Sequence, residues 1–139
     1  MEYKRFKPMF DKLYYLIWIP TSVLMIAMTV FACFEPVVLF VAIPIDVFTF
    51  YFLITSLFGY VELREDSVFI KFGFIMKREI PYKNIRGITK ERKMYADSMV
   101  ALKHSLDHVN IKYNRFDMIS VSVVGNDELI SEIELRIKR

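Results

Sequence analysis

Hydrophobic and polar positions divide this chain into two unlike parts. From Leu13 to Phe34 no charged side chain occurs, and a second apolar run extends from Pro36 to Tyr60, broken only by Asp46. In hydrocarbon a segment must satisfy its backbone polar groups internally, so runs of this length read as membrane-spanning helices. The 22 residues of the first run would extend roughly 33 Å as a helix, enough for a hydrocarbon core of about 30 Å. Glu35-Pro36 makes a tight turn between the runs, with Pro suited to a first helical turn and the acid to the positive end of the helix dipole. Spans joined so closely are antiparallel neighbours. Tyr14, Tyr15 and Trp18 at one end, with Tyr51 and Tyr60 in the returning helix, form a partial aromatic belt.

Beyond Tyr60 the period changes. Residues 61 to 65 and 68 to 74 are rich in β-branched and aromatic residues and are separated by Asp66-Ser67, so they read as strands with a turn between. Arg78 to Pro81 and Tyr82 to Lys90 continue with Ile80, Ile85 and Ile88 as core positions, and Pro81 implies an edge strand or a bend. Residues 92 to 107 lack a clear period and read as a long connection with a helical turn. Val109, Ile111 and Tyr113 alternate with polar neighbours, and Met118 to Val124 forms the partner strand of a hairpin. Gly125-Asn126-Asp127 caps a helix running from Glu128 to about Lys138, with Leu129, Ile130, Ile133 and Ile137 as its apolar stripe. The expected fold is α+β. A two-helix transmembrane hairpin (about 13–34 and 36–60) follows a basic N-terminal segment (1–12) and carries an antiparallel β half-barrel of about six strands closed by the terminal helix (61–139). Such a domain should supply its own core and stand alone.

Charge refines this division. Residues 13 to 60 contain Glu35 and Asp46 but no Lys or Arg, so all 19 bases lie outside the apolar runs. Lys4, Arg5, Lys7 and Lys12 precede the first span, none lies in the turn, and Arg64 and Lys71 follow the second. The positive-inside rule therefore places both termini in the cytoplasm of a multi-pass cell-membrane protein. The N-terminal bases also fit a secretory leader, but the first run is longer than an ordinary leader core and a second follows at once, so retention is expected. Residues 61–139 carry fifteen bases and twelve acids, a net of +3. That suits an anionic leaflet and is too weak to imply nucleic acid.

Few residues offer chemistry. Asp46 lies near the bilayer midplane, where an ionised carboxylate costs about 2.5 kcal/mol or more. It reads as a neutral carboxyl bonded to Thr49, Thr21 or Ser22 or to its own copy in a homo-oligomer, or as a contact with another membrane subunit or a proton relay. Lys77, Arg78, Lys83, Arg86, Lys90, Arg92 and Lys93 concentrate seven bases in 17 residues. They form either a surface for anionic headgroups or a protein partner, or a solvated sheet face. His104 and His108 have a zinc-like spacing with Asp107 beside the second, but the segment has no helical pattern and no third His exists. Ser98 and Ser105 lie in no nucleophile motif, four glycines leave little scope for a phosphate loop, and Cys33 is alone. No cofactor, metal or catalytic residue is expected.

Phe72-Gly73, Ile80-Pro81, Ile85, Ile88, Ser98-x-x-Ala101-Leu102, Ser105-Leu106-Asp107 and Ile111-Lys112-Tyr113 together resemble the bacterial PH-like domain family of the YyaB type. The likeness covers residues 55 to 137, with His108 where a base is usual and Val121 where Pro is. It implies a PH-like module preceded by two membrane spans, without catalytic residues. The resulting expectation is a non-enzymatic, membrane-anchored binding or scaffolding module that engages a protein partner or the inner-leaflet surface. The alternatives are an accessory subunit of a transporter or channel contacting it through Asp46, and an immunity-type protein against a membrane-active peptide.

Overall fold

The computed structural model describes residues 3–96, 98 and 101–139. A short strand, β1 (Lys4–Phe6), precedes two long helices, α1 (Lys12–Ala32) and α2 (Pro36–Leu57). Both are long and apolar enough to cross a membrane, and almost none of their surface is covered by the rest of the chain. Asp11 caps α1 by accepting from Leu13 N (2.9 Å), and Pro36 stands at the first turn of α2. Buried Ala32 and the turn around Cys33–Glu35 bring the helices together as an antiparallel pair.

The remaining chain forms two four-stranded sheets. β1 to β4 form an antiparallel meander in chain order, with β2 at Tyr60–Leu63, β3 at Ser67–Lys71 and β4 at Lys77–Pro81. After a 3-10 turn at Tyr82–Asn84, β5 (Ile85–Arg92) opens the second sheet, ordered β5-β7-β8-β6. Here β6 is Ala101–Leu102, β7 Asp107–Tyr113 and β8 Asp117–Val121, and the β6–β8 pairing is parallel. Val61, Leu63, Val68, Ile70 and Ile80 from the first sheet meet Val109, Ile111, Ile119 and Val121 from the second in one core. The last helix, α3 (Asn126–Ile137), covers that core with Leu129 and Ile133, both fully buried, while Ile130 packs at its margin and Ile137 is exposed. This is the expected α+β arrangement of two apolar helices followed by open, half-barrel-like antiparallel sheets and a C-terminal helix.

Several local expectations need correction. Lys4–Phe6, read as part of a separate basic segment, is an edge strand: Lys4 pairs with Leu63 and Phe6 with Val61, and the Phe6 side chain lies in the core. Residues 61–139 therefore do not supply the whole core themselves. Tyr60 belongs to β2, because α2 ends at Leu57 and only Phe58-Gly59 intervenes. That junction has no slack, since a Cβ on Gly59 would fall 2.4 Å from the Leu102 side chain and 2.9 Å from the Lys71 carbonyl oxygen. Between 93 and 106 the described residues contain β6 and no helical turn; residues 97, 99 and 100 lie outside them. Pro81 terminates β4, an edge strand, where its missing N–H breaks no ladder.

Candidate functional site

Strand register defines two ends of the double sheet. At the helix-proximal end, Tyr60 lies opposite Lys71, and Lys71 opposite Lys77. On the other flank, Arg92 pairs with Asp107, and Lys93 N donates to Leu106 O (3.1 Å). Leu106 N in turn donates to Asp11 Oδ2 (2.7 Å), so one carboxylate both caps α1 and ties it to the β6–β7 loop. Further ties run from Met9 N to Ser122 O (3.1 Å) and through the Pro8–Val123 bridge. The helix pair is thus fixed to the sheets on both of its strands.

The most conspicuous part of this end is the β3–β4 connection, Phe72–Met76, closed by Phe72 N donating to Met76 O (2.9 Å). Phe74, Ile75 and Met76 are 52%, 77% and 59% exposed, although most such side chains elsewhere in the sheets are buried. The loop lies along α2: Phe74 stacks obliquely on Phe58 (4.9 Å between centroids) and approaches Tyr51 (6.4 Å). Gly73 permits the approach, having φ +149° and room for no Cβ beside Thr55. On the α1 flank, Met94 and Tyr95 are likewise exposed. The rim next to the helices therefore alternates apolar tips with Lys71, Lys77, Arg92, Lys93 and Lys103.

The seven clustered bases do not form one patch. Because β4 and β5 run in opposite directions, Lys77 and Arg78 begin β4 at the helix-proximal end, whereas Arg92 and Lys93 close β5 at that end on the other flank. Lys83 and Arg86 lie at the far end, about 20 Å from Arg92 along a strand rising about 3.3 Å per residue. Arg86 donates to the carbonyls of Asn114 (3.4 Å) and Arg115 (3.2 Å). Lys90, between them, pairs with Asp127 (2.8 Å), which raises its pKa, and Lys93 pairs with Glu91 (2.9 Å). Sequence spacing merged these residues because it cannot register a reversal of direction.

Arg5, read from the sequence only as one of the bases ahead of the first span, completes a charged face on the first sheet. It bonds Glu62 (2.7 Å), which also receives Arg64 (3.1 Å); Arg64 reaches Glu79 (3.3 Å). The hydrogen bond from Arg5 holds the Glu62 carboxyl below its ordinary range. Nothing in the sequence marks the Arg5 contact, since its partner lies 57 residues on.

Asp46 is half-buried between the helices. Its partner is Thr29 of α1, whose hydroxyl donates to Asp46 Oδ2, and not the expected Thr49, Thr21 or Ser22. Side chains lean toward the N-terminus of their own helix, so Asp46 tilts toward the turn and Thr29 away from it, and they converge. Asp46 Oδ1 is buried with no hydrogen-bond partner among the described residues. His104 packs face to face on Phe10 (5.0 Å) and edge-on to Tyr14 (5.6 Å), and burial lowers its pKa from 6.5 to about 4. His108 is fully buried at the start of β7, with Nδ1 3.1 Å from Leu106 O. Among the described residues no three His, Cys, Asp or Glu side chains gather as metal ligands.

The bacterial PH domain family matches residues 59–136, which spans β2 through α3. The chain belongs to that family, and two apolar helices precede its domain. A PH-like domain of this kind is typically a non-catalytic binding or scaffolding module, and the helices associate it with a membrane. No curated protein and no solved structure matches the chain.

Proposed function

We propose that this protein is a membrane-anchored, non-catalytic binding module whose PH-like domain rests on the inner leaflet and leaves its far end open to a protein partner. The observation that carries this reading is the Phe72–Met76 loop, whose exposed Phe74, Ile75 and Met76 lie beside the last turns of α2. With α1 and α2 across the bilayer, that loop falls at the level of the headgroups and upper acyl chains. Apolar tips flanked by bases suit this layer: Phe, Ile and Met enter the acyl region while Lys71, Lys77 and Arg78 meet anionic headgroups, each base contributing about 1 kcal/mol. Arg92 and Lys93 serve the other flank. Lys83 and Arg86, at the far end, border the open side instead and belong to the partner surface.

The bases before α1 and after α2 set the orientation, with both termini cytoplasmic. Cys33, exposed at the turn between the helices, is a natural reporter. In intact cells an impermeant thiol reagent is expected to label Cys33 and to miss Phe116→Cys, placed at the 86% exposed tip of the β7–β8 hairpin. The reverse pattern overturns the orientation.

Leaflet contact is tested in the full chain reconstituted in vesicles, with Cys33→Ser and an environment-sensitive dye on Ile75→Cys. Its emission should shift to the blue and be quenched by spin-labelled lipid, more strongly with anionic lipid and less in high salt, where screening is shorter than about 8 Å. The same dye at Phe116→Cys should behave as in water. Equal behaviour at the two sites returns the bases to a solvated face.

Asp46 bonds to Thr29 inside the hairpin, which favours a structural role over a contact with a transporter or channel subunit.

A further inference from the structure

A cavity of about 490 Å³ lies where the helices meet the sheets. Its walls come from three sources: Trp18, Tyr51 and Phe52 of the helices, Phe72 and Met76 of the β3–β4 connection, and Leu102 of β6. Such a volume is within the range of small-molecule sites, about 300–1,000 Å³. Thr55, Ser56 and His104 also line it, and of these Thr55 Oγ1 and His104 Nε2 are buried with no hydrogen-bond partner among the described residues. Buried polar atoms are nearly always paired, so two orphans in one cavity call for an occupant.

We infer that this cavity holds one acyl chain of a glycerophospholipid, its ester oxygens hydrogen-bonded to Thr55 Oγ1 and His104 Nε2. The inference rests on the helices crossing the bilayer, as proposed above. The lining argues for a lipid because the walls are largely apolar and continuous with the lipid-facing surface of both spans. The polar atoms argue for an ester and against a phosphate: a threonine hydroxyl and an imidazole can each donate to an uncharged carbonyl, and neither brings a charge. His104 stays neutral near pH 7, with burial as the cause. Ser56, also on the wall, already bonds Leu53 O (2.8 Å) and makes no claim on the occupant. The site differs from the basic rim, which meets headgroups through Lys77 and Arg78 and encloses nothing.

The test uses the full chain. Reconstituted with a phospholipid carrying a diazirine in its acyl chain, wild-type protein should crosslink preferentially at Phe72, Met76 and Leu102. Crosslinks spread evenly along the outward faces of α1 and α2 would mean annular lipid only and overturn the proposal. In mild detergent, native mass spectrometry should find phospholipid retained by the wild type. The Thr55→Val/His104→Phe double variant should retain about tenfold less, the weight of two neutral hydrogen bonds. Unchanged retention in a folded double variant overturns the ester contact. Should that variant not fold, the wild-type crosslinks decide. The rim reading has its own readout, the dye at position 75 in vesicles of different charge, so its failure and the failure of this one are separately visible.

Discussion

His104 connects the two parts of the molecule through rings rather than charge, with Phe10 and Tyr14 against its imidazole. Its folded pKa of about 4 lies below the ordinary 6.5, so unfolded chains take up a proton first as pH falls. Stability from this site is therefore complete above about pH 6.5 and is lost progressively toward pH 4, by up to about 3 kcal/mol. His104→Phe should remove that part of the pH dependence, read as a flatter change in thermal midpoint between pH 7 and 4.5; parallel curves would show that the imidazole carries none of it. At Asp46 the sequence already required a neutral or paired carboxyl, because no base lies between residues 13 and 60. Its partner could not be read from depth alone, since side-chain tilt brings Thr29 to it. Asp46→Asn should leave the helix pair nearly intact, whereas Asp46→Leu should weaken it by about 0.6 to 2 kcal/mol, measured by unfolding in detergent. An Asn variant that loses a co-purifying partner while Glu keeps it would mean a charged intersubunit contact instead.

Elements were legible where a period ran long enough to show. The alternation at Val109, Ile111 and Tyr113 and the stripe at Leu129 and Ile133 announced β7 and α3, although the intervening Asn110 is buried as well. β1 and β6 gave no such sign, being three and two residues long and held by register with distant strands. Phe72–Phe74 read as the end of a strand, but β3 stops at Lys71 and Phe72–Met76 forms an exposed apolar tip, which depends on where α2 ends. Gly73 decides its position. An alanine Cβ there would sit 1.8 Å from Thr55 Cγ2 on a backbone that L residues rarely adopt. Gly73→Ala should therefore cost more than about 1 kcal/mol and draw the tip off α2, weakening lipid quenching at position 75. Thr55→Ala should restore part of the loss, and strict additivity of the two changes would show that they do not touch. Asp11 clamps the other helix: Asp11→Ala should cost about 0.5–2 kcal/mol from the cap, plus the bond to Leu106 N.

On the scale of the whole molecule, the chain threads its domain around its own apolar helix pair. β1 enters the sheet before α1 begins, and β2 follows α2 with two residues between them. Composition could not reveal this, because a basic segment ahead of a span looks the same whether it hangs free or pairs with a strand 57 residues on. The consequence is a domain whose position relative to the helix pair is set by two short connections and not by a flexible tether. Without residues 3–9, β2 becomes an edge with unpaired N–H and C=O groups, and the core loses Phe6, a truncation that costs about 3–5 kcal/mol. Small domains have only about 5–15 kcal/mol in total. A fragment of residues 59–139 should therefore self-associate or unfold near room temperature. Residues 3–9 joined to 59–139 by about six Gly/Ser residues, with an r.m.s. reach of about 13 Å, can bridge neighbouring helix positions about 8–10 Å apart. That chain should be monomeric with a mainly β circular dichroism spectrum. Sedimentation and thermal unfolding of the two compare them directly, and equal mass and midpoint would show that β1 is dispensable.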